Sequence, residues 1–223
     1  MRPLLSSLAA ALTAGLLLAS AAAAAPVPAP GERAHSIRAP HCTLKGAKTI
    51  AANRHVRVFS ARVRAWREVF GCRRSADRAY AIGDGGGECQ NYDLVDGAVV
   101  AGNFVALNIH TCSLYGSSSA VKLVNLRDGR VRFASAPLAT TGPDTSYDAI
   151  RGMAVTAAGR LAWLGVRVAR GAVVEAEVHR RIRGTSGESV VLDSGTGIDP
   201  RSLRRVGSRL RWRHDGVARS ARM

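Results

Sequence analysis

The stretch GAVVAGNFVALN, Gly97 to Asn108, decides the fold. A short apolar run reaches Ala101, Gly102 and Asn103 supply a turn, and a second apolar run opens at Phe104, so the segment reads as a β-hairpin. The same design recurs in KTIAANRHVRVF (Lys48 to Phe59, turning at Asn53), MAVTAAGRLAWL (Met153 to Leu164, turning at Gly159) and SLRRVGSRLRWR (Ser202 to Arg213, turning at Gly207). With Val56, Phe104, Leu161 and Leu210 as anchors, the separations are 48, 57 and 49 residues, which is the spacing of tandem modules.

Between the hairpins lies further strand sequence. Val174, Ala176 and Val178 alternate with Glu175, Glu177 and His179, a period of two. Val121 to Leu126, the turn Arg127-Asp128-Gly129-Arg130 and Val131 to Phe133 read as strand, turn and strand, and Ser189 to Leu192 is a strand closed at Asp193-Ser194-Gly195. Arg62 to Phe70 could make two helical turns, but its neighbours favour strand. The expected fold is therefore all-β, a small β-propeller-like array of about four antiparallel sheets, each too small to bury its inner face alone. A β-sandwich, or part of a larger ring completed by another chain, is the alternative. The strand and D-x-G turn at Leu123 to Arg130 (LVNLRDGR), with the hairpins Ala101 to Ala106 and Ala158 to Ala162, resembles the secreted bacterial β-propeller-like proteins with WD-repeat-like or TolB-like repeats, over residues 42 to 223. The Trp-Asp dipeptide of such repeats is missing, and the fourth repeat stops at Met223. If the ring closes, Thr43 to Ala47 would supply the last blade's outer strand.

The chain has 223 residues, 47% of them apolar and 22% charged, with 23 Gly and 8 Pro, a composition that does not fit disorder, collagen or a coiled coil. Leu4 to Ala25 is uncharged and apolar, follows Arg2 and ends in small residues at Pro26, so residues 1–25 read as a secretory signal peptide cut before Ala25 or Pro26. An uncleaved membrane anchor is the rival reading. Residues 26–40 (PVPAPGERAHSIRAP) are a Pro/Ala-rich linker, and 41–223 form a single repeat domain, secreted or extracytoplasmic. The 32 Lys+Arg against 16 Asp+Glu give a formal charge of +16, nearly all of it arginine. Arginine is scattered from Arg33 to Arg222, so nucleic acid is not the expected partner, and attraction to anionic envelope polymers ranks above it. In Arg201 to Arg213 the basic residues alternate around Leu210 and Trp212, as in a half-buried strand with a solvated face.

Export permits disulfides, and Cys42, Cys72, Cys89 and Cys112 are even in number. Four cysteines allow three connectivities. A hairpin turning at Gly102-Asn103 pairs residues whose numbers sum to about 205, and Cys89 with Cys112 comes close, which favours Cys42 with Cys72 and Cys89 with Cys112. Zinc is the competing use, but no C-x-x-C pair is present.

Several motifs resemble chemistry. VVLDSGTG (Val190 to Gly197) looks like the catalytic turn of an aspartic protease, yet that mechanism needs two such aspartates and the sequence has one copy. His110, Asp144 or Asp148, and Ser194 follow the chain order of a chymotrypsin-like triad, which is recognised by geometry and not by order. Neither Gly184 to Ser189 nor Gly116 to Ser119 makes a Gly-x-Ser-x-Gly elbow. Gly83 to Glu88 (GDGGGE) lacks the Lys-Ser/Thr of a phosphate loop, and Asp84, Glu88, Asp93 and Asp96 lack calcium-loop spacing. The histidines His35, His41, His55, His110, His179 and His214 form no metal-binding pair in sequence.

The expected function is an exported, non-enzymatic binding or scaffolding module. It has no catalytic, cofactor or metal residue identifiable from sequence, and its partner is an unknown protein or an envelope polymer met on the blade-connecting loops. A secreted hydrolase acting on cell-envelope polymers or peptides is the enzyme-class alternative, and a purely structural envelope protein is a third reading.

Overall fold

The computed structural model describes residues 41–63, 66–84, 92–113, 116–138, 146–182 and 188–223. The signal peptide and linker read at residues 1–40 lie outside them, as do Cys89 and most of the Gly83 to Glu88 loop.

The described residues form fifteen strands: β1 (Lys48–Ala52), β2 (Val56–Val63), β3 (Trp66–Arg73), β4 (Arg78–Asp84), β5 (Tyr92–Ala101), β6 (Phe104–Ser113), β7 (Gly116–Asn125), β8 (Arg130–Ser135), β9 (Ser146–Val155), β10 (Leu161–Ala169), β11 (Ala172–Arg181), β12 (Ser189–Ser194), β13 (Arg204–Val206), β14 (Arg209–His214) and β15 (Val217–Arg222). All four expected hairpins form, as β1–β2, β5–β6, β9–β10 and β13–β14. Within Arg62 to Phe70 the described residues are strand, the end of β2 and the start of β3. In the β5–β6 hairpin, partners from Ala101↔Phe104 to Gly97↔Asn108 keep the sum of 205; a bulge at Asp96 then shifts it to 204, placing Cys112 opposite Tyr92.

The turns follow from their residues. Gly102 and Gly207 each stand first in a two-residue loop with φ of 55° and 60°, a left-handed conformation that glycine adopts without strain. Asn53 holds its own turn by accepting the backbone N–H of His55 and Val56 at its Oδ1.

The strands divide into sheets of eight, four and three, ordered β1 to β8, β12-β11-β10-β9 and β13-β14-β15, none of them closed into a barrel. The expectation of about four antiparallel sheets thus meets one difference. The eight-stranded sheet consists of two four-stranded antiparallel meanders, β1–β4 and β5–β8, joined among the described residues by a single parallel bridge, Asp84↔Leu94.

Neighbouring meanders share cores, because strand alternation gives each sheet two apolar faces. Val56, Val58, Val69 and Ile82 pack with Val105, Leu107, Ile109 and Leu126. On the other face of β5–β8, Ala106, Val121, Leu123 and Phe133 meet Ile150, Leu161 and Trp163. The far face of β9–β12 then packs Leu164, Val166 and Val178 against Ile198, Leu210, Trp212 and Met223. Successive hairpin tips also touch: Asn53 Nδ2 donates to the Gly102 carbonyl at 3.2 Å, and a Cβ on Gly102 would lie 3.0 Å from that of Ala157.

The two ends of this series differ. The free face of β1–β4 holds Phe59, Phe70 and Cys72 under Cys42, Leu44 and Ala47. Thr43 to Ala47 is therefore a turn and not the outer strand of the last module. The Cys42–Cys72 disulfide and Arg57, which donates to the carbonyls of Cys42 and Ala47, tie it to the first sheet. At the other end, the free face of β13–β15 is exposed to solvent.

Candidate functional site

That exposed face is built by register. Along β14, Leu210 and Trp212 point into the core while Arg209, Arg211 and Arg213 point out. Arg204 of β13 stands opposite Arg211, and Arg222 of β15 stands opposite Arg209, so five guanidinium groups share one face with Val206, Ala218 and Ser220. All five arginines are exposed, and among the described residues none of them has a carboxylate partner. Arg209 donates to the Ser220 hydroxyl at 2.8 Å. Like charges directly opposite one another in a sheet are destabilising, and two such pairs sit here side by side. From Arg201 to Met223 the sequence contains eight arginines and a single acidic residue, Asp215. The face is thus drawn from one arginine-rich stretch of the sequence.

The sheet that carries this face is fixed from behind. Asp193, at the end of β12, accepts Trp212 Nε1–H at 2.6 Å and His214 Nδ1–H at 3.0 Å, as well as the N–H of Ser194. The turn after it runs close to His214: a Cβ on Gly195 would meet the ring at 3.2 Å, and one on Gly197 would overlap the Asp215 carboxylate. The VVLDSGTG motif is therefore a strand end whose aspartate latches β12 to β14.

A second polar group lies between the second and third meanders. His179, 1% exposed, donates from Nε2 to Glu177 at 2.7 Å, and its Nδ1 faces the Ser189 hydroxyl at 3.4 Å. Its ring stacks on Trp163 with centroids 4.8 Å apart, and Trp163 Nε1 donates to the Pro137 carbonyl. Burial pulls the His179 pKa below its ordinary value, and the Glu177 carboxylate opposes that shift. On the same face, Arg167 pairs with Asp148 at 3.0 Å and with Glu175, both directly opposite it across neighbouring strands. Gly165 completes the notch, since a Cβ there would lie 2.0 Å from the Pro137 oxygen.

The residues weighed from sequence are thereby placed. Cys42 and Cys72 form the expected disulfide, with Cα atoms 5.5 Å apart; Cys112 lies on β6, and Cys89 is outside the described residues. His110, Asp148 and Ser194 lie on β6, β9 and β12; Asp148 is engaged by Arg167, and no hydrogen bond joins the three among the described residues. Asp144 and Glu88 lie outside the described residues. His41 donates to Asp77 at 2.6 Å, where the Cys42 N–H and His41 together hold the carboxyl below its usual range. Sequence reasoning missed the Glu177–His179 pair, although its i,i+2 spacing on a strand places both side chains on one face. It also missed Arg204 and Arg222 as members of the arginine face. Neither protein-family models nor curated protein sequences gave a match to the chain.

Proposed function

We propose that this protein is an exported binding or scaffolding module, propeller-like in design, whose ligand docks on the outer face of β13–β15. Four consecutive meanders sharing cores in series, with their hairpin tips in contact, support the propeller-like reading. The leader-like residues 1–25 and the buried Cys42–Cys72 disulfide support export. The observation that carries the binding role is the set of five exposed, acid-free arginines on one face. A fold gains no stability from that arrangement, and a negatively charged ligand would relieve it.

The test is retention on the cell envelope. Protein carrying Arg204, Arg209, Arg211, Arg213 and Arg222 all changed to Gln is expected to be released into the medium where the parent protein stays on envelope preparations. Equal retention of both would remove the docking role of this face.

A second reading, a secreted hydrolase of envelope polymers or peptides, draws on the Ser189–His179–Glu177 chain. Neutral His179 could accept the hydroxyl proton, but with 1% of its surface exposed it has no route to a leaving group. Binding is therefore the better reading. Labelling of Ser189 by a fluorophosphonate would reverse that order.

A further inference from the structure

We infer that the ligand of the β13–β15 face is a linear phosphodiester-linked polyol polymer of the cell envelope. The inference rests on the docking role proposed above and adds the ligand's chemistry.

The face asks for an anion, because it presents guanidinium groups and no carboxylate. It asks for a tetrahedral one. A carboxylate offers its acceptor sites in one plane, whereas a phosphate directs its oxygens in several directions and can take forks arriving from two strands. The cross-strand pairs Arg204↔Arg211 and Arg209↔Arg222 each place two forks on opposite strands, roughly 5 Å apart at Cβ. One phosphate between the members of a pair would cancel the repulsion that the free protein carries.

The face also asks for a repeating anion. The two pairs are offset by two residues along β14, and Arg213 extends the row by two more, so cationic sites recur about every 6–7 Å. Beside the row, Val206, 44% exposed, stands opposite Arg209 and Ala218 stands opposite Arg213, and the two offer small apolar contacts to an aliphatic spacer.

Nucleic acid is the other phosphodiester polymer, and the face lacks what it needs. Single-stranded nucleic acids bind by stacking bases on aromatic side chains. The only aromatic residue of this sheet besides His214 is Trp212, which is buried on the opposite face with its N–H held by Asp193. The leader-like N-terminus and the buried disulfide likewise place the expected encounter outside the cytoplasm.

The experiment is titration calorimetry of the leader-free protein with three probes at 50 and 200 mM salt: poly(glycerol phosphate), polygalacturonate and a single-stranded oligodeoxynucleotide of mixed sequence. The variants are R204Q/R211Q, R209Q/R222Q and, as a charge-matched control away from the face, R127Q/R130Q, with circular dichroism confirming the fold of each. Poly(glycerol phosphate) is expected to bind most tightly, to weaken about tenfold or more with each face variant and at the higher salt, and to be unchanged by the control. If a face variant does not fold, the single change R213Q, at the end of the row, carries the same expectation with a smaller loss. Tighter binding of polygalacturonate or of the oligonucleotide, still lost in the face variants, would overturn the phosphodiester-polyol inference while leaving the docking face in place. Equal weakening by the control, or no binding of any probe, would overturn both.

Discussion

At His179 the imidazole is enclosed by Trp163, Glu177 and Ser189, and its pKa in the folded chain lies below the ordinary value of 6.5 because burial disfavours the charged ring. As the pH falls through the unfolded value, the unfolded chain takes up a proton that the folded chain still refuses. Stability therefore rises with pH across the window ending near 6.5 and falls on acidification, by roughly 1.4 kcal/mol for each unit between the two values. Asp77 acts lower on the scale. Its folded pKa is below 3.8, so its contribution is present above that value and is lost only in stronger acid. The melting temperature is expected to drop between pH 7.5 and pH 5, and His179→Gln should flatten that drop. An equally steep fall in the variant would assign the acid sensitivity to another group.

β14 shows how much of an element the sequence discloses. The alternation of Arg209, Arg211 and Arg213 with Leu210 and Trp212 announces a strand with one buried face, and it is one. What the alternation cannot disclose is who stands opposite. Arg204 sits in a three-residue strand, and β15 (VARSAR) has no apolar period of its own, so their register comes only from pairing with β14. The buried cluster was hidden for the same reason: Ser189 reaches His179 on a diagonal between β11 and β12, shifted by a bulge next to His179. Hairpins were legible because glycine and asparagine mark turns locally. The division into sheets was not, since one bridge between Asp84 and Leu94 merges two meanders without any sequence signal. At this scale we expect Arg211→Gln to stabilise the free protein by about 0.2–1 kcal/mol by removing a like-charge pair. The gain should be larger at low salt and read as a higher melting temperature. A lower melting temperature would mean that Arg211 contributes to the fold through some other contact.

Over the whole molecule, the strand content and the Cys42–Cys72 bond agree with what the residues suggested, while the expected outer strand at Thr43 to Ala47 became a cap on the first sheet. That cap depends on its covalent tie. Closing a loop across a sequence separation of 30 residues is worth about 3–4 kcal/mol through the unfolded chain, so the double change Cys42→Ser and Cys72→Ser should lower the urea midpoint accordingly, with loss of cover over Phe59 and Phe70. An unchanged midpoint would make the bond incidental. Beyond stability, the order of the strands governs assembly. Within every meander each strand pairs with the one before or after it in the chain. Pairing then needs no distant partner, so each sheet can zip up as soon as its own residues are available, with little loop-closure entropy to overcome before contacts form. A cut or an insertion between β8 and β9 would interrupt the backbone and leave every ladder of hydrogen bonds among the described strands intact.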